Sequence, residues 1–151
     1  MTRHTALVIG CVICALAGAV AAQESEYRVV QSPFQEDFEL TVNTDLRPMV
    51  EVAGVRWTRF GVHTKGDREI DPEKTIPVMV ELGFVNTNPG AVKVLVIALF
   101  EDANGNPLAR VECAKVNANN DRLKESVQKY KVSGAVLQAT RRVYLFCEVE
   151  Q

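Results

Sequence analysis

From Phe38 onward the chain alternates apolar and polar residues with a period of two. That spacing sets one face of a β-strand against a core and the other in water. Phe38, Leu40 and Val42 alternate with Glu39, Thr41 and Asn43. Val50 and Val52 precede Gly54, and Val55 and Trp57 share a face, but Phe60 and Val62 have the opposite parity. One face holds all four only across a bulge near Arg59, or a bend. Ile76, Val78, Val80, Leu82 and Phe84 form the cleanest strand, with Pro77 suited to a first residue or a sheet edge. Asn86-Thr87-Asn88-Pro89-Gly90 reads as a turn. Val92, Val94, Val96, Ala98 and Phe100 follow, with Leu95, Ile97 and Leu99 among the residues between them. That strand is apolar on both faces, and a two-sheet sandwich covers only one. A helix, the N-terminal segment or a partner chain must cover the other. A hairpin around Gly105 leads to a strand from Leu108 to Val116. The last strand places Val143, Leu145, Cys147 and Val149 on one side and Tyr144 and Phe146 on the other.

Two segments depart from this rhythm. Asn117, Asn119, Asn120 and Asp121 offer helix caps, Leu123, Val127 and Tyr130 stand at i, i+4 and i+7, and Gly134 reads as a C-terminal stop. These signs predict one short helix near 120–130, although Val127–Val132 also fits a strand. Thr64–Thr75 is a polar loop with six charged residues between Lys65 and Glu73. The pattern as a whole predicts a mostly β protein: a single immunoglobulin-like antiparallel β-sandwich over residues 49–150, preceded by an extended segment, 23–48, with one strand.

Residues 1–22 have a different layout. Arg3, His4 and Thr5 precede an apolar run from Ala6 to Ala19, and small residues lead into Gln23 and Glu24. This is the pattern of a secretory signal peptide, whose helix is removed on export, with cleavage sites at Ala19-Val20-Ala21 or Val20-Ala21-Ala22. The run is short for a membrane span and its downstream flank is acidic. Val8-Ile9-Gly10-Cys11 is similar to a lipoprotein box, but the apolar run before Cys11 is too short and continues past it. The expected product is therefore periplasmic or extracellular, not anchored through Cys11, and has no membrane span after cleavage.

Removing 22 of the 151 residues leaves about 129, enough for one domain with a core. Seventeen Lys and Arg face 19 Asp and Glu; losing Arg3 leaves 16 against 19, a net charge of about −3. The signs are interspersed and no basic run points to nucleic acid. The exported chain has two cysteines, Cys113 and Cys147. In an oxidising compartment the preferred reading is a disulfide, stabilising by about 3–4 kcal/mol over its 35-residue loop. The alternatives are two small buried thiols on separate strands or a shared metal site with His63, for which no recognised spacing exists.

Candidate chemistry is sparse. His63 is the one histidine after the leader. No G-x-S-x-G elbow accompanies Ser126 or Ser133, and a Cys–His device requires the disulfide to be absent. No cofactor and no metal site is predicted. Asp67, Glu69, Asp71 and Glu73 crowd the 64–75 loop without the ligand order of an EF-hand. The binding candidates are Glu69, Asp71 and Asp67 of that loop together with Arg56, Trp57, Arg59 and Phe60, since aromatic and Arg side chains carry much interface energy. For Trp57, the sole tryptophan, the competing reading is a core ring between the sheets.

Residues 78–108, which include VELGFVNTNPGAVKVLVIALFEDANGNPL, resemble the FxLYD-type immunoglobulin-like domains of secreted bacterial proteins. In that pattern a strand ends in Asn near a turn, the next ends in Leu-Tyr-Asp, and a Gly-containing hairpin follows. Here Leu99-Phe100-Glu101-Asp102 stands at the second element, with Phe for Tyr and an added Glu, and Gly105 in the hairpin. The resemblance implies a fold and an extracytoplasmic accessory or binding role, and brings no catalytic residues. The expected function is an exported non-catalytic module that binds or scaffolds an envelope or extracellular protein, a second copy of itself included. A small-ligand or metal-ion carrier is the alternative, with a Cys-based hydrolase or redox protein behind it.

Overall fold

Period-two alternation builds two sheets around one core. A computed structural model describes residues 27–66 and 69–151. The strands are β1 (Arg28–Val30), β2 (Phe34–Glu39), β3 (Asp45–Leu46), β4 (Val50–Val52), β5 (Val55–Thr64), β6 (Thr75–Asn86), β7 (Val92–Glu101), β8 (Pro107–Glu112), β9 (Val116–Ala118), β10 (Leu123–Ser133) and β11 (Arg142–Glu150). A single helix among the described residues, α1 (Gly134–Ala139), links β10 to β11. The first sheet runs β1-β4-β5-β6-β10, with β3 beside β5; the second runs β2-β11-β7-β8, with β9 beside β7. All pairings between these strands are antiparallel except β1 with β4. The leader reading, residues 1–22, lies outside the described residues.

The inner faces meet in one cluster. Phe34, Trp57, Phe60, Phe84, Phe100, Leu82 and Leu145 are all buried there with nine valines of β4 to β7, from Val50 to Val96. Burying each large apolar side chain contributes about 1.5–3 kcal/mol. The parity conflict in β5 is resolved as expected. The register with β6 slips between Trp57 and Arg59, so Thr58 is an added residue that returns Phe60 and Val62 to the core face. Between β4 and β5, Ala53 and Gly54 both have positive φ, 45° and 75°, as a two-residue hairpin turn requires.

The segment expected to hold one strand holds three, and they serve both sheets: β1 and β3 the first, β2 the second. The helix expected near 120–130 is not there. Leu123 to Ser133 pairs residue by residue with Val85 to Thr75 as edge strand β10. Leu123 and Val127, four apart, share a strand face as readily as a helix face, and both point outward, 60 % and 56 % exposed. Tyr130 and Val132 point inward instead. Non-local pairing with β6 overrides the local caps. The helix comes later and starts, rather than stops, at Gly134. Gly134 lies so close to the loop that a Cβ would come within 1.9 Å of the Asp71 carbonyl oxygen. No helix among the described residues is long and apolar enough to cross a membrane.

Candidate functional site

Strand register decides what the second sheet shows to solvent. Pairing of β11 with β7 sets Arg142 opposite Glu101, Tyr144 opposite Leu99, Phe146 opposite Ile97, Glu148 opposite Leu95 and Glu150 opposite Lys93. The alternate residues, Val143, Leu145 and Cys147 with Phe100, Ala98, Val96 and Val94, are buried in the core. Tyr144, Phe146, Leu95, Ile97 and Leu99 therefore share the outer face, where each is half-buried. On the flanks, β2 adds Gln35 and Asp37, and β8 adds Arg110 and Glu112. The Tyr144 hydroxyl bonds to Gln35, and Arg142 pairs with Asp37 at 2.9 Å. Burial, then the neighbouring Asp37 charge, pushes the Glu101 carboxyl up, with Arg142 pulling it back. The cover demanded by the doubly apolar strand is not supplied by any helix or strand among the described residues, since α1 touches β8 and β10.

The candidates around Trp57 do not form a surface. Trp57 and Phe60 are 0 % exposed. The Trp57 ring packs 5.7 Å from Phe84 and 6.4 Å from Phe34 and Phe60, and its Nε1–H donates to the Arg59 carbonyl at 2.8 Å. The bulge at Thr58 keeps both rings inside, so the exposed-anchor reading of Trp57 and Phe60 is overturned. Arg56 does point outward; it pairs with Glu51 at 2.9 Å and lies 5.4 Å over the Tyr27 ring. Asp67 lies outside the described residues. Glu69 is exposed, and Asp71 is occupied by Lys74 at 2.7 Å and by the Glu73 N–H. The loop is pinned to α1, with Gly134 N–H donating to Lys74 and Ala135 N–H to Pro72. These candidates stand apart from the apolar outer face.

Arg59 belongs to an ion cluster that was not foreseen, on the outer face of the first sheet. Its guanidinium lies 3.1 Å from Asp45 and 3.7 Å from Glu125 and also pairs with Glu81. His63 Nε2 is 3.0 Å from Asp45 Oδ1. Burial pushes the Asp45 carboxyl up, but hydrogen bonds from His63 and Arg59 outweigh it and hold it below its usual range. The ligand atoms of Asp45, His63 and Glu81 lie within 4.8 Å of one another, close enough to surround a cation. Arg59 already supplies the positive charge there, so the cluster reads as a salt-bridge network. Its sequence signal was Gly61 and Gly83 inside strands: a Cβ on Gly61 would come within 2.5 Å of His63 Nε2.

The expected disulfide is absent. Cys113 and Cys147 are both buried free thiols. Cys147 pairs with Val96 across β11 and β7, while the Cys113 N–H bonds to the Val96 carbonyl from the other side. One strand thus separates them, and two strand spacings are about 9–10 Å against the 4.4–6.8 Å between Cα atoms that a disulfide spans. Burial pushes the Cys113 thiol up to about 11 and the Cys147 thiol up to about 12. His63 stands on the outer face of the other sheet, so the Cys–His pair is not assembled. Neither the family models nor the curated proteins give a match to this chain.

Proposed function

We propose that this protein is an exported, non-catalytic β-sandwich of immunoglobulin-like type that binds or scaffolds a protein of the cell envelope or extracellular space. One observation carries the reading: Leu95, Ile97, Leu99, Tyr144 and Phe146 form a contiguous apolar patch at the centre of an outer sheet face. Contiguous exposed apolar surface, rimmed by polar residues, marks an interaction site in a soluble protein. Two large aromatic rings beside three branched aliphatics also suit the anchors of an interface. The leader-like layout of residues 1–22 supports export, and the FxLYD-like turn and hairpin support the sandwich type.

The test is crosslinking in intact cells with the chain tagged at its C-terminus, comparing wild type with Ile97→Lys. Ile97 is partly exposed on the outer face, so a lysine there leaves the core intact, which Trp57 fluorescence verifies. The reading expects one dominant envelope, secreted or self crosslink that disappears in the variant. Equal recovery from both proteins would sink it.

A further inference from the structure

We propose that the occupant of the outer face of the second sheet is a second copy of this chain, related by a two-fold axis running parallel to the strands between β11 and β7. This rests on the binding reading of the same face. The argument is self-complementarity, which any two-fold interface must have. Such an axis exchanges the β11 and β7 columns, so each residue of β11 meets, in the other copy, the residue that it pairs with in its own. Glu150 then faces Lys93 at one end, and Arg142 lies over the buried Glu101 at the other. Tyr144 over Leu99 and Phe146 over Ile97 fill the middle, aromatic against aliphatic. On the flanks, Asp37 lies in the Tyr144–Leu99 row on β2 and Arg110 in the same row on β8, so the axis brings those opposite charges together too. Gln35 and Glu112 meet likewise in the Phe146–Ile97 row. Glu148 over Leu95 and Glu39 over Pro107 are the mismatched pairs.

Size agrees with this occupant. β11 and β7 have nine and ten residues and β2 and β8 six each; at about 3.4 Å per residue and about 4.8 Å between strands they give a face of roughly 500 Å² in projection. Over two partners that is about 1,000 Å², the lower bound for a specific interface. Sheets packed face to face cross at about 30°, which keeps the central rows in contact and lets the charged ends adjust.

Sedimentation equilibrium of the exported chain tests the proposal. The wild type is expected at twice the monomer mass in the micromolar range, and Ile97→Lys at the monomer mass. Lys93→Glu places like charges on both sides of the axis at one of its ends and is expected to weaken the dimer about tenfold or more. The double variant Lys93→Glu/Glu150→Lys restores opposite charges and is expected to recover it, even though Glu150 also pairs with Lys115 in its own chain. A wild type that stays monomeric up to about 100 μM, far above the dissociation constant of a standard interface, overturns self-association. In that case loss of another protein's crosslinks in Ile97→Lys leaves the binding reading standing, and unchanged crosslinks remove both. A dimer that Lys93→Glu leaves untouched, or that the double variant fails to restore, overturns the two-fold arrangement.

Discussion

Replacing Asn86 by alanine is predicted to cost about 3–5 kcal/mol of stability. Asn86 ends β6 and is 0 % exposed, a polar side chain inside the core. Its amide uses all its capacity. Nδ2 donates to the Gly90 carbonyl at 2.7 Å and to the Ala118 carbonyl at 3.0 Å. Oδ1 accepts from Asn88 N–H and Asn88 Nδ2, both at 2.9 Å. One amide thereby fixes the β6–β7 turn and ties it to β9 of the opposite sheet. Each hydrogen bond is worth about 1 kcal/mol net, and each enclosed partner left unpaired costs about 1–3 kcal/mol more. Water entering the gap returns part of that loss, which sets the range. The loss is a large share of the 5–15 kcal/mol that such a domain has in all. Urea unfolding read by Trp57, the sole tryptophan and fully enclosed, measures it. At about 2 kcal/mol per molar the midpoint falls by about 2 M. Asn117→Ala, exposed on β9, is the control with no expected change. A loss under about 1 kcal/mol for Asn86→Ala would refute the idea that this amide is a structural hub.

Three further outcomes are expected. Gly134→Ala forces a methyl group towards the Asp71 carbonyl and is predicted to destabilise by about 1–3 kcal/mol, with hydrogen exchange rising at Lys74 and Gly134. Asp102 accepts from the Asn106 side chain and from the Asn106 and Asn104 N–H groups, and these bonds, the Asn106 side chain's first, hold its carboxyl below the usual range. Its contribution is fully present above the unfolded value of about 3.9 and is lost as pH falls through the lower folded one. Asp102→Ala should thus melt lower than wild type at pH 7, with the gap closing in strong acid; a gap that persists at pH 2 contradicts this. Cys113 and Cys147, 2 % and 1 % exposed with thiols pushed up by burial, should react with a thiol reagent only as fast as the protein unfolds. Rapid labelling of the native protein rules that out.

Local pattern carried much of the architecture. The strands of β5, β6, β7 and β11 and the bulge near Arg59 follow from parity alone, because a buried face fixes which residues must share a side. The apolar excess of Leu95, Ile97 and Leu99 was visible in the same way. Its joining to Tyr144 and Phe146 was not, since that depends on β11 pairing with β7 in one register over more than 40 intervening residues. The same limit explains the cysteines: alternation placed both on buried faces, but only sheet order shows Val96 between them. Residues 120–130 misled because caps and i, i+4 spacing are local signals, while β10 is held by β6. Trp57 was readable either way until the bulge settled which side of β5 it occupies. The Arg59 cluster draws on four strands, β3, β5, β6 and β10, and no single stretch of sequence contains it.

The central claim is that the outer face of the second sheet is where this protein meets its partner. The most direct measurement places a photo-crosslinking side chain at position 97 in intact cells, with position 129 on the opposite sheet as reference. The account predicts efficient crosslinks from 97, to a second copy or to one envelope protein, and few from 129. Crosslinks that are absent from 97, or equally strong from both positions, would contradict it.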